Sequence, residues 1–200
     1  MRTKRFASAL IFLTVFSLAG VHAWAADAAQ VPEVKRTKQA LYLDAPEAYA
    51  LKQKLGDKAF MVDVRTRAEV SYLGMPTVAD ANIPYVEHPD DAPWDDKAGR
   101  FKLEPNNDFG PELGRRLADK GLGKDDTIIL MCRSGDRSAR AANLLNDLGY
   151  RKVYTVIDGY EGDLAKDGTK AGQRAVNGWK NAGLPWTYKL DKNKLYFPKF

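Results

Sequence analysis

The stretch "ILMCRSGDRSARAANLL", Ile129–Leu145, decides how this chain is read. The apolar run "DTIILM" has the length and composition of a buried strand, and "SARAANLLNDLGY" has helical spacing that ends at Gly149. Between them stand Cys132, Arg133, Ser134, Gly135, Asp136, Arg137 and Ser138, with the chain's single cysteine at the strand end. A tight strand-to-helix loop turns backbone N–H groups inward, and the helix behind it adds the positive end of its dipole. Gly135 admits conformations closed to other residues. Arg133 and Arg137 add positive charge. Each effect favours an anion on or beside sulfur, and with it a reactive thiolate.

Outward from this loop the same alternation repeats. "LDAPEAYALKQKLG" predicts a helix with Asp44 as N-cap, Pro46 in the first turn, Glu47 completing a capping box and Gly56 as the stop. "FMVDV", Phe60 to Val64, reads as a strand, "RAEVSYL" as one or two helical turns, and "NIPYVE" as a strand limited by Pro84. Phe109, Leu113 and Leu117 mark another helix. "KVYTVI" is a further strand, followed by the turn "DGYEG", a helical "RAVNGWKNAG" and a basic, aromatic tail. Short apolar strands alternating with amphipathic helices imply an α/β fold, with a mainly parallel central sheet flanked by helices. Sites in such sheets gather at the carboxyl ends of the strands, which is where Cys132 stands.

The first 25 residues are set apart from the fold. "MRTKR" is a basic n-region, "FASALIFLTVFSLAGV" an apolar h-region, and "AWA" at Ala23–Ala25 a small-x-small cleavage site. This pattern predicts a secretory signal peptide, 1–25, cleaved after Ala25, and hence a periplasmic or secreted protein with no membrane segment after processing. Residues 26–39 read as a leader, 40–188 as the domain, and 189–200 as a C-terminal tail. Loss of Arg2, Lys4 and Arg5 lowers the net charge from +5 to +2, which gives no general case for nucleic-acid binding. It also removes His22, leaving His88 as the one histidine. One cysteine and one histidine are too few soft ligands for a structural zinc site, so no metal is expected. In an oxidising compartment a single unpaired thiol is exposed to mispairing, which makes its retention at a loop of this kind informative.

No histidine neighbours Cys132 in sequence, and His88 sits in an acidic stretch, so a Cys–His protease is disfavoured. Sulfur transfer through a persulfide and phosphate or arsenate chemistry remain. Cysteine phosphatases place an arginine six positions after the cysteine. Here Ser138 holds that position and Arg137 comes one residue early, a shorter cradle better suited to a sulfane sulfur than to a tetrahedral phosphate.

"CRSGDRS" resembles the active-site loop of single-domain rhodanese-like sulfurtransferases. Asp63–Arg65 with Glu69 resembles the family's Asp-x-Arg segment and later glutamate. "ANIPY" falls where the family has its "NIP" element, and "DGY" with "GWKNAGLPW" resembles its late glycine and Trp-containing segments. The similarity runs from about Ala40 to Pro185. It implies a sulfurtransferase that needs no cofactor. Cys132 would be the sulfur-accepting nucleophile, the backbone from Arg133 to Ser138 a persulfide cradle, and Arg133 and Arg137 would help hold an anionic donor such as thiosulfate. A thiol or a cyanide-like molecule would be the acceptor. Asp63 and Arg65 would brace the sheet end as an ion pair.

Departures accompany the resemblance. The family's "GHIPGA" is replaced by "YLGMPTVADANIPY". Residues 87–108 and 161–174 read as insertions that reshape the mouth of the site, exclude small donors or receive a protein partner. Trp94, in "DDAPWDD", is either a docking point or the anchor of a solvated loop. The competing reading is therefore a non-catalytic rhodanese-like accessory module of an exported oxidation system. A phosphatase or arsenate reductase is third.

Overall fold

The computed structural model describes residues 28–198, so the signal-peptide reading at 1–25 lies outside the described residues. Five parallel strands form the central sheet: β1 (Tyr42–Leu43), β2 (Ala59–Asp63), β3 (Ala81–Asn82), β4 (Thr127–Met131) and β5 (Lys152–Val156), in the spatial order β1-β5-β4-β2-β3. Four helices connect them: α1 (Ala45–Leu55), α2 (Arg67–Leu73), α3 (Phe109–Asp119) and α4 (Asp136–Asp147). This is the α/β architecture that the alternating pattern predicts.

Both faces of the sheet are covered, and the strands divide their side chains between them by simple alternation. Phe60, Val62, Ile128 and Leu130 point into a core completed by Phe109, Leu113 and Leu117 of α3 and Ala141, Ala142 and Leu145 of α4. Met61, Ile129 and Met131 point the other way, onto Ala48 and Leu51 of α1, Val70 of α2 and Trp179. Cys132 continues the β4 alternation and lies on the α3/α4 side. The helix starts follow from their caps. Asp44 accepts from the Glu47 N–H at 2.8 Å while the Glu47 carboxylate accepts from the Asp44 N–H at 2.9 Å, and Thr66 and Glu69 make the same reciprocal pair at the start of α2.

Three local expectations are corrected. "NIPYVE" is not one strand: β3 ends before Pro84, and Val86–Glu87 pairs instead with Glu104–Pro105, because a proline without an N–H cannot carry the ladder onward. Helix α4 begins at Asp136, two residues ahead of the expected start at Ser138. "RAVNGWKNAG" forms turns, not a helix. Gly178 has φ of +96° and packs so closely on the Gly162 backbone that a β-carbon there would lie 2.5 Å from the Gly162 nitrogen. That turn drops the Trp179 indole into the core.

The flanking segments close over the domain. The Lys38 N–H donates to Asn143 of α4 at 2.8 Å, and the Gln39 side chain accepts from the Val153 N–H at 2.9 Å. The tail returns to β3 through a bridge between Leu195 and Asn82, and Lys194 Nζ donates to the Ala79 carbonyl at 2.8 Å. The segment 87–108 carries a short hairpin in which Trp94, half exposed, meets Phe101 edge-on with ring centroids 5.3 Å apart. Among the described residues no group of acidic, histidine or cysteine side chains is arranged to hold a metal, and no helix is long and apolar enough to cross a membrane.

Candidate active site

Cys132 directly follows β4, and only 1% of its surface is exposed. Its Sγ accepts from the Gly135 N–H at 3.1 Å and lies 3.5 Å from the Ser138 hydroxyl, which itself donates to the Gly135 carbonyl at 3.0 Å. Helix α4 makes its first intrahelical bond from the Ala139 N–H to the Gly135 carbonyl at 3.1 Å. The N–H groups of Asp136, Arg137 and Ser138 therefore have no carbonyl a turn behind them. One donor is already on sulfur and three more stand at the mouth of the helix.

The loop is held in this shape from outside. The Cys132 carbonyl accepts from Tyr160 at 2.9 Å and the Arg133 carbonyl from Glu161 at 2.9 Å, so both oxygens are turned away from the sulfur. Such close approach requires glycine at two places. A β-carbon on Gly135, at φ of +100°, would lie 2.2 Å from the Ile157 carbonyl oxygen. One on Gly159 would lie 2.6 Å from the Arg133 carbonyl carbon. The "DGY" turn after β5 is thus the outer wall of the cysteine loop.

The two loop arginines differ sharply. Arg137 is buried and donates through both terminal nitrogens to the two Glu69 oxygens, each at 2.6 Å, a bidentate pair between α4 and α2. Burial alone would raise the Glu69 carboxyl, but the hydrogen bonds and charge of Arg137, aided by Thr66 and Arg65, hold it down to about 2. Burial likewise opposes the Arg137 charge, and Glu69 outweighs it, so the guanidinium stays protonated. Arg137 is committed to Glu69. Arg133 is half-buried, and its guanidinium has no hydrogen bond or ion pair among the described residues. Of the two, Arg133 is the one free to meet an anion. Asp136 faces outward and pairs with Arg140 at 3.0 Å, one turn along α4.

Asp63 and Arg65, at the end of neighbouring β2, are both fully buried. Arg65 Nε donates to Asp63 at 2.9 Å, one terminal nitrogen also reaches the Gly74 carbonyl at 2.7 Å, and the guanidinium lies 3.7 Å from the centre of the Tyr160 ring. Asn82 of β3 donates to the Asp63 and Arg65 carbonyls at 2.9 and 2.8 Å. The pair braces the sheet end beside the cysteine loop, with Arg65 stacked on Tyr160 and within electrostatic reach of Glu69.

The structure thus gathers Cys132 through Ser138, with Glu69 and the Asp63–Arg65 pair behind them. His88 is elsewhere, lining a cavity of about 330 Å³ with Arg67, Pro105 and Tyr196. Sequence reasoning missed Tyr160 and Gly159, although the "DGY" turn signalled them, and it missed Arg174, within whose electrostatic reach both Arg133 and Cys132 fall. No local pattern marks Arg174.

A buried thiol beneath the donors of a strand–loop–helix junction defines an anion-loop cysteine domain. The comparisons sharpen that class: residues 47–166 match the model of the rhodanese-like domain, and the chain belongs to that family. RC0915 of Rickettsia conorii is 32% identical over 132 residues, covering 66% of this chain and 85% of that protein. The thiosulfate sulfurtransferase GlpE of Tolumonas auensis is 34% identical over 64 residues, which is 32% of this chain and 54% of that protein. Among solved structures, Rv0390 of M. tuberculosis superposes with a TM-score of 0.54 at 27% identity, covering 74% of this chain and 97% of that one.

Proposed function

We propose that this protein is an exported sulfurtransferase that carries sulfane sulfur on Cys132. The Cys132 thiolate attacks the outer sulfur of a donor such as thiosulfate. The Sγ–S bond forms, the donor S–S bond breaks, and its electron pair leaves on sulfite. A thiol or cyanide then attacks the outer sulfur of the persulfide and releases the Cys132 thiolate. Both steps balance without a cofactor or an external oxidant. The observation that carries the reading is the placement of Sγ against the Gly135 N–H, with three further helix-terminal donors next to it. Those donors suit the terminal sulfur of an anionic persulfide, which extends one bond beyond Sγ. Family membership supports the same chemistry, as does the sulfurtransferase activity named for the Tolumonas relative.

Export rests on the pattern of residues 1–25, and N-terminal sequencing of the mature protein tests it by finding Ala26 first. Turnover is tested by thiocyanate production from thiosulfate and cyanide. The expected result is activity in the native chain and none in Cys132→Ser. Activity retained in that variant, or hydrolysis of an aryl phosphate in place of sulfur transfer, overturns the proposal.

A further inference from the structure

Beside the cysteine loop lies a cavity of about 640 Å³, lined by Pro32 and Lys35 of the leader, Ser134 of the loop, and Asp163, Leu164, Lys166, Arg174 and Val176. This is the size of a site for an organic molecule. A bare inorganic anion would leave most of it empty. Its wall is built by the segment read as an insertion, which folds over on itself: Leu164 bridges Arg174, and Arg174 donates to the Gly162 carbonyl.

The lining has two characters. Leu164 and Val176 leave 50% and 59% of their surfaces exposed, large values for two aliphatic side chains that line one cavity. Lys166 and Arg174 supply positive charge on the same wall, and the Arg133 guanidinium of the loop lies within electrostatic reach of Arg174. Burial and the nearby Arg133 both work against the Arg174 charge, so a carboxylate arriving there relieves that repulsion. Asp163 is the one acid in the wall, and Lys35 holds it at 2.8 Å. Cys132 itself is almost wholly covered, so a donor delivers only its terminal sulfur to the loop. The rest of a larger donor has to lie outside, against this wall.

Resting on the sulfurtransferase reading above, we infer that the donor is an organic persulfide of peptide size bearing carboxylates, and that Leu164, Lys166, Arg174 and Val176 select it. The Cys132 thiolate attacks the outer sulfur of R–S–SH. The Sγ–S bond forms, the S–S bond between the outer sulfur and the R-bearing sulfur breaks, and its electron pair leaves on the thiolate R–S⁻. Cys132 becomes the persulfide, and charge balances with no other reactant.

The probe is glutathione persulfide, compared with thiosulfate under the same conditions. The native chain is expected to use glutathione persulfide with a kcat/KM at least ~10-fold higher. Leu164→Ser with Val176→Ser is expected to lower the ratio of the two kcat/KM values by ~10-fold, mostly through KM for the persulfide, the scale expected for losing apolar contacts. Lys166→Gln alters an exposed side chain, so it tests the charge without endangering the fold, and should lower the same ratio by ~3-fold. A ratio unmoved in both variants, or a native preference for thiosulfate, overturns the inference. Failure of every donor to place sulfur on Cys132 overturns the sulfurtransferase reading instead, so the two failures are distinguishable.

Discussion

Two loops leave the carboxyl ends of neighbouring strands and treat charge in opposite ways. After β2, Asp63 and Arg65 are fully buried and answer each other, with Gly74, Asn82 and Tyr160 taking up much of what remains. After β4, the donors outnumber their acceptors: Gly135 reaches sulfur, and the first-turn N–H groups of α4 have no helical partner. A loop that neutralises itself is a brace. One that keeps first-turn donors without helical partners around a thiol is what the proposed persulfide chemistry requires. The Glu69–Arg137 pair joins them, fixing the second loop to the helix that follows the first.

The comparison breaks most visibly at the brace. Arg65→Met leaves the Asp63 carboxylate buried without its partner, and should cost about 3–5 kcal/mol in urea unfolding. A loss under ~1 kcal/mol would mean that Asp63 is solvated and the loop is not self-neutralised. The joint between the loops comes next. Glu69→Gln should cost about 2 kcal/mol at neutral pH, the scale of hydrogen bonds to a charged group. Its pH signature is specific. The folded Glu69 carboxyl is held at about 2 against an ordinary 4.5, so its contribution is present above pH 4.5 and lost as the pH falls toward 2. Denaturation curves of the native chain should therefore fall more steeply over that window than those of Glu69→Gln. Parallel curves would remove the joint from the account.

Asp158, in the turn behind the cysteine loop, sharpens the contrast from the other side. Burial pushes its carboxyl up to about 6, against the Gly178 N–H that favours the charged form. Stability is then lost as the pH rises from about 4 through 6. Asp158→Asn should gain about 1 kcal/mol at pH 8 and nothing at pH 4, read as a melting-temperature difference. A gain equal at both values would assign the effect to packing. The smallest change belongs to Asp136, whose exposed pair with Arg140 points away from sulfur. Asp136→Asn should move stability by no more than about 0.5 kcal/mol, and a larger change would place that carboxylate in the loop's interior network.

Legibility followed the range of the interactions. The strand, loop and helix around Cys132 were readable because an apolar run, helical spacing and the glycines Gly135 and Gly149 act within a few residues. The helix cap at Asp44 is equally local; the matching cap at Thr66, no less local, was not read. Arg137 was different: its role depends on Glu69, 68 positions earlier, and charge beside a cysteine in sequence does not reveal which arginine is already paired. "RAVNGWKNAG" has helical composition, but the Gly162–Gly178 contact overrides it. Arg174 acquires its position beside Arg133 only once the segment from Gly162 to Asn177 has folded against the loop.

The central claim is that the β4 loop puts one sulfur atom on Cys132. Intact-mass measurement of the native chain after brief exposure to thiosulfate, and separately to glutathione persulfide, tests it directly. The account predicts a gain of one sulfur atom with at least one donor, reversed by cyanide and absent in Cys132→Ser. An unchanged mass with both donors, or the same gain in Cys132→Ser, would contradict it.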